Sequence, residues 1–151
     1  MLNRTDVLKR LPQGEPFVFV DAATVIDGEA TGSYTFTGQE CFAVGHFPNR
    51  PILPASIMVE ALGQLGIVFM MEHFAPSVID PESIYFIKSE DVACRRKCLP
   101  GDQLEMRMKV LRSREPLMQF TGEIRVGGEL TLKVSSMTLS FSTQPTESSN
   151  F

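Results

Sequence analysis

The stretch between Pro54 and Pro76 constrains this chain more than any other. Good helix formers run from Pro54 to about Phe74, and Ile57, Met58, Val59, Leu62, Leu65, Ile67, Val68, Phe69, Met70 and Met71 fall on nearly every side of a 3.6-residue helix. A helix apolar all round must be buried on most sides. Roughly 20 residues make it ~30 Å long, about the width of a small domain, so the spacing predicts a central axis wrapped by other structure. Pro54 suits the first helical position, where its missing N–H costs nothing, and Pro76 stops the helix. Ala61, Gly63 and Gly66 let neighbouring backbone come close. Glu60 and Gln64 interrupt the apolar run, which falls short of the ~20 residues of a membrane span.

The wrapping material reads as β-structure. A short helix over residues 6–11, ended by Pro12, precedes a strand over 17–26, a turn at Asp27-Gly28, a partner strand over 31–37 and a closing Gly38. After the long helix, residues 83–88 form a strand that continues irregularly to Ala93. The turn Pro100-Gly101-Asp102 then leads into Leu104, Met106, Met108 and Val110, which alternate with polar partners. Alternation returns after Pro116 in Met118, Phe120, Ile124 and Val126, and Gly127-Gly128 is a hairpin signal. In the last strand, which runs to about Phe141, the apolar phase is even at Leu130, Leu132 and Val134 and odd at Met137, Leu139 and Phe141. A one-residue slip would turn one set outward, so a β-bulge is expected near Ser135-Ser136. One buried helix with five or six antiparallel strands, most of them after it, is an α+β organisation. The 151 residues suit one domain over 1–143, with the polar residues 144–151 expected to be a disordered tail.

Fourteen basic against eighteen acidic residues leave a net charge of -4, which argues against sequence-independent binding of nucleic acid. The densest cationic run is Arg95, Arg96 and Lys97. Residues 1–12 hold no uninterrupted apolar core, so no secretory signal is read there and the mature chain is expected to begin at Met1. Cys41, Cys94 and Cys98 are an odd number without C-x-x-C spacing. They read as free thiols in a reducing cytoplasm, not as a disulfide framework or a zinc site. No phosphate loop, G-x-S-x-G elbow, H-E-x-x-H helix or other metal-ligand cluster occurs.

Glu60 lies on the second helical turn among apolar neighbours, with Gln64 one turn later on the same face. Either Glu60 reaches an edge of the helix and is solvated, or it is buried for use, with its pKa raised. His46, one of two histidines, sits in the loop Gly45-His46-Phe47-Pro48-Asn49-Arg50-Pro51-Ile52-Leu53-Pro54, whose three prolines predict a rigid, extended backbone. A loop histidine is structural or exchanges protons, the task for which histidine is best suited near neutral pH. His73, near the helix end, favours the helix dipole. One base and one buried acid with no nucleophile beside them suit proton abstraction next to a carbonyl with loss of a leaving group, and the N–H donors of the helix N-terminus over residues 54–57, where Pro54 itself has none, could polarise that carbonyl.

The loop from Gly45 to Pro54, continuing into Glu60-Ala61-Leu62-Gly63-Gln64, resembles the signature of FabZ-type 3-hydroxyacyl-acyl carrier protein dehydratases. Leu11-Pro12-Gln13-Gly14-Glu15-Pro16-Phe17 with Val20-Asp21 resembles that family's opening motif, and Arg95-Arg96 with Pro100-Gly101-Asp102 a later one. The resemblance implies a hot-dog fold, an active site at a dimer interface with His46 of one subunit facing Glu60 of the other, and dehydration to a trans-2-enoyl thioester. It places Gly45, Phe47, Pro54, Ala55, Ser56 and Gln64 at the substrate and an apolar acyl tunnel beside the helix. It also makes Arg95, Arg96 and Lys97 contacts for an acidic acyl carrier protein. No metal or cofactor is implied beyond the carrier's phosphopantetheine, and the assembly is a dimer or a trimer of dimers.

Ala55 stands where the family has a glycine whose N–H faces the thioester carbonyl. Gln13 replaces a usual histidine, Asn49 a glycine, Cys94 a phenylalanine and Lys97 a proline. These departures point to a specialised relative in a secondary pathway. A hot-dog thioesterase and a non-catalytic carrier-binding subunit paired with an active homologue are the alternatives.

Overall fold

The computed structural model describes residues 1–74 and 78–143. The expected stop at Pro76 and the expected disordered tail over 144–151 lie outside the described residues. Asn3 caps a short helix α1 (Arg4–Arg10) by accepting from the Asp6 N–H while the Asp6 carboxylate accepts from Asn3 N–H, a reciprocal capping box. Strands β1 (Ala22–Ile26) and β2 (Glu29–Thr35) follow, then α2 (Ala55–His73), a 3-10 turn (Pro81–Ser83), and β3 (Tyr85–Cys94), β4 (Gln103–Arg114), β5 (Leu117–Val126) and β6 (Glu129–Ser140). All pairings are antiparallel in one six-stranded sheet ordered β1-β2-β4-β5-β6-β3.

The sheet presents one apolar face to α2. Leu104, Met106 and Met108 of β4, Met118, Phe120, Ile124 and Val126 of β5, and Leu132, Val134, Met137 and Leu139 of β6 are buried with Met58, Leu62, Leu65 and Phe69 of the helix. Phe69 meets Phe120 edge to face with centroids 5.7 Å apart. By length and composition α2 would pass for a membrane span, contrary to the expectation that it is too short. Its burial beneath the sheet is what accounts for its apolar circumference.

The expected bulge is present. Phe120 pairs with Met137 and Gly122 with Val134, so Thr121 alone opposes Ser135 and Ser136. The extra residue lets Val134 and Met137 both face the helix, and Val134, Met137 and Leu139 are all buried. Further irregularities at Phe86/Lys88, Val110/Arg112 and Ile124/Arg125 add local twist, as a sheet needs in order to curl round a helix. The Asp27-Gly28 and Gly127-Gly128 turns have positive φ at both positions, as two-residue hairpins require.

Three expectations need correction. The strand expected over 17–26 begins only at Ala22. Val18, Phe19 and Val20 are buried, but the Phe19 N–H donates to the Gln64 side chain instead of a neighbouring strand. The loop over 45–54 is not extended throughout. Phe47 and Arg50 exchange backbone hydrogen bonds of 3.0 and 2.9 Å and Asn49 has φ 62°, so the prolines flank a tight turn. Pro54 is the N-cap of α2, one position earlier than expected.

Candidate active site

Gln64 is fully buried, and both its amide oxygen and its amide nitrogen find partners. Its Oε1 accepts from the Phe19 N–H at 2.8 Å, while Nε2 donates to the Phe17 carbonyl and to Glu60 Oε1, both at 3.1 Å. The i to i+4 spacing on α2 brings Glu60 and Gln64 together, and the segment over 17–20 crosses them because its own backbone groups need the Gln64 amide. Gln13 adds a longer donation to the same Glu60 oxygen, 3.4 Å. With two N–H donors aimed at Oε1, the proton of the acid form belongs on Oε2, which accepts from none of the described residues.

Burial raises the Glu60 carboxyl above its ordinary value, and the Gln64 hydrogen bond works the other way. Of the two readings open in the sequence, Glu60 is therefore not simply solvated. A consequence is testable in stability. A carboxyl whose folded pKa exceeds its unfolded one binds more protons in the folded state, so stability falls as pH rises between the two values. Glu60→Gln is expected to raise Tm above that window and to lose its advantage as pH drops to the ordinary carboxyl range near pH 4. Thermal melts of both proteins between about pH 3 and 8 measure this. An advantage that grows toward low pH would show that the carboxylate is stabilised instead.

Glu60 lines a cavity of about 250 Å³ together with Gln13, Ser56, Gly63 and the apolar side chains of Ile67, Ile84 and Phe86. No other titratable side chain lines it. His46 does not line it either, so one chain by itself does not bring His46 and Glu60 into one cavity. His46 stands before α2 with Nδ1 2.8 Å from the Ile52 carbonyl, and the Ile52 N–H returns to the His46 carbonyl at 2.8 Å. A carbonyl can only accept, so Nδ1 is the donor in this contact and Nε2 is the ring nitrogen left for a ligand. The ring stacks on Phe47 with centroids 4.4 Å apart. Gly45, Phe47, Ala55 and Ser56 are exposed and Pro54 is half-buried, so the start of α2 is open to a ligand. Pro54 supplies no side-chain cap to that terminus.

The thiols offer no competing nucleophile in the cavity. Cys98 is buried beside Met58, which pushes its thiol up to about 11, and Cys41 and Cys94 are exposed and unpaired. The cationic run divides. Arg96 donates to Asp102 at 3.1 Å and Glu129 at 3.2 Å and so braces the turn before β4, whereas Arg95 and Lys97 are exposed and form no ion pair among the described residues.

A family model described as a FabA-like domain matches residues 11–135. The chain belongs to the FabA-like family. Relatives include the 3-hydroxyacyl-[acyl-carrier-protein] dehydratase FabZ of Coxiella burnetii, 34% identical over 92% of this chain and 97% of the relative. The corresponding FabZ of Caulobacter vibrioides is 30% identical over 95% and 91%. Among solved structures, the dehydratase heterocomplex ApeI:P from Xenorhabdus doucetiae superposes with a TM-score of 0.76 at 20% identity, covering 93% of this chain and 91% of that one. A hypothetical thioesterase with coenzyme A from Streptococcus pneumoniae gives 0.60 at 11% identity, over 82% and 85%. The last two likenesses are of fold, and the fold is the hot-dog: one long helix held in a curled antiparallel sheet. Within this FabA-like domain the sequence reading missed Gln13 as a second amide on Glu60. Its replacement of a usual histidine was the signal that marked it.

Proposed function

We propose that this chain dehydrates 3-hydroxyacyl thioesters carried on the phosphopantetheine of acyl carrier protein, giving trans-2-enoyl thioesters in fatty acid or related secondary lipid synthesis in the cytoplasm. Membership of the FabA-like family carries the reading, and the geometry described above fits it, with His46 Nε2 turned away from the Ile52 contact and Glu60 Oε2 accepting from none of the described residues. His46 Nε2 removes the proton from the carbon next to the thioester carbonyl. Glu60 gives its Oε2 proton to the departing 3-hydroxyl, which leaves as water, and the proton on His46 restores Glu60 afterwards. Uncapped N–H groups at Ala55 and Ser56 steady the carbonyl as it gains enolate character, while the Ala55 methyl narrows the approach. Arg95 and Lys97 form the docking surface for an acidic carrier. Arg96 contributes less, because its guanidinium is already engaged.

His46 and Glu60 meet only if a second copy completes the site. Edge strand β3 supports that arrangement, since Tyr85, Phe86, Ile87 and Val92 are 69, 50, 48 and 44% exposed, and an apolar open edge is a pairing surface. Phe86 belongs both to this edge and to the Glu60 cavity. Light scattering is expected to give a dimer or a trimer of dimers. Val92→Lys should weaken the assembly about tenfold or more and take activity with it. A wild-type monomer at micromolar concentration would remove the shared-site reading.

The test of function is enoyl absorbance on 3-hydroxyacyl-carrier substrates of several chain lengths. Turnover supports the proposal. A protein that binds or hydrolyses every such thioester without dehydrating it overturns the proposal.

A further inference from the structure

Glycine inside a helix is destabilising relative to alanine, so each one in α2 needs a reason. Gly66 has one in packing. A Cβ there would lie 3.3 Å from Leu139, tighter than side chains ordinarily sit, and would also touch Met108 at 3.4 Å and Phe120 at 3.5 Å. Gly63 has no such reason, because a Cβ there would meet only the Met137 sulfur at 3.7 Å, an ordinary contact. What its missing side chain leaves open is the cavity wall one turn beyond Glu60.

That cavity is graded in chemistry. Gln13, Ser56 and Glu60 bring its polar groups, with Val59 beside them, and from Glu60 onward along α2 the helix contributes only Gly63 and Ile67, opposite the apolar Ile84, Phe86 and Leu139. Along the helix axis, the seven helical rises from Glu60 to Ile67 span about 10 Å, the length of an extended chain of roughly eight carbons, with Gly63 less than halfway along. A short acyl group ends near Gly63. A longer one has to pass it.

We propose that Gly63 is a specificity-determining position whose absent side chain admits an alkyl tail past Glu60 toward Ile67, so that the chain prefers medium-length acyl thioesters over four-carbon ones. This rests on the reading of Glu60 as the acid of an acyl-thioester site. Longer chains gain by burying more methylenes against Ile67, Ile84 and Leu139. Any side chain at position 63 removes that gain where the tail would run.

Saturated butyryl- and decanoyl-pantetheine carry no hydroxyl to eliminate, so calorimetric binding of both to the full chain reads the cavity without the chemistry. Wild type is expected to bind decanoyl at least about tenfold more tightly than butyryl. Gly63→Ala should reduce that ratio and Gly63→Leu should bring it close to one. Gly63→Ala should also raise Tm by a few degrees, since alanine is the better helix former and has room. A ratio equal in all three proteins, no preference in wild type, or a lower Tm for Gly63→Ala would each overturn the inference. If the ratio behaves as expected and no dehydration occurs, the assignment of reaction falls and the acyl preference stands. If dehydration proceeds with an unchanged ratio, only the role of Gly63 falls.

Discussion

His46→Ala is expected to fold as the wild type does and to lose about 10²- to 10⁴-fold in kcat, the range that a positioned general base contributes. Its imidazole contacts are few. Nδ1 donates to Ile52, the ring rests on exposed Phe47, and the backbone bond between His46 and Ile52 survives truncation of the side chain. Removing it therefore takes away the Nε2 lone pair with little else. Glu60→Gln should lose activity to a similar extent while its melting behaviour follows the pH course described above, because an amide keeps the contact with Gln64 but cannot donate an acidic proton. Circular dichroism and thermal melts beside the enoyl assay separate chemistry from folding. A His46→Ala protein within tenfold of wild type would mean that another group removes the proton.

The largest effect on stability is expected from Gln64→Leu. Leucine is close in size but leaves the Phe19 N–H and the Phe17 carbonyl without their partner, in a segment where Val18, Phe19 and Val20 are all buried. At about 1–3 kcal/mol for the buried Phe19 N–H and less for the part-buried Phe17 carbonyl, the loss should reach about 2 kcal/mol or more. For a domain of this size that lowers Tm by roughly 4–8 °C. Gln13→Leu removes only one long contact to Glu60 and should shift Tm far less. Melts of the two variants side by side decide the matter. Equal small shifts would show that the segment over 17–20 is held by its apolar side chains and not by the Gln64 amide.

Gln64 also shows why the site was legible in the sequence only in part. Its position one turn after Glu60 is a matter of helical spacing, and the pairing of the two side chains follows from it. That the same amide reaches across to Phe17 and Phe19 does not follow, because those residues lie some 45 positions earlier and carry the composition of a strand. The β-branched and aromatic composition over 17–26 reads as an extended apolar segment, but a hydrogen-bond donor satisfied by a side chain looks the same in sequence as one satisfied by a neighbouring strand. Gln13 reaches Glu60 by the same route. Arg96 is a similar case: three adjacent cations read as one surface, and only the approach of Asp102 and Glu129 separates the bracing residue from the free ones.

By itself the sequence determined whatever depends on local periodicity and backbone chemistry. The all-apolar circumference of α2 required a wrapping sheet, the phase change at Ser135-Ser136 required a bulge, Gly127-Gly128 required a hairpin, and the histidine, proline and glutamate spacing of the central motif carried the family. The tertiary structure alone decided which oxygen of Glu60 is free, that His46 lies outside the Glu60 cavity of its own chain, and that Gly63 opens space where Gly66 permits packing. The reason is physical. Periodicity records which side of an element avoids water, whereas a hydrogen-bond partner, a cavity wall or an ion pair is set by what the folded chain brings opposite it.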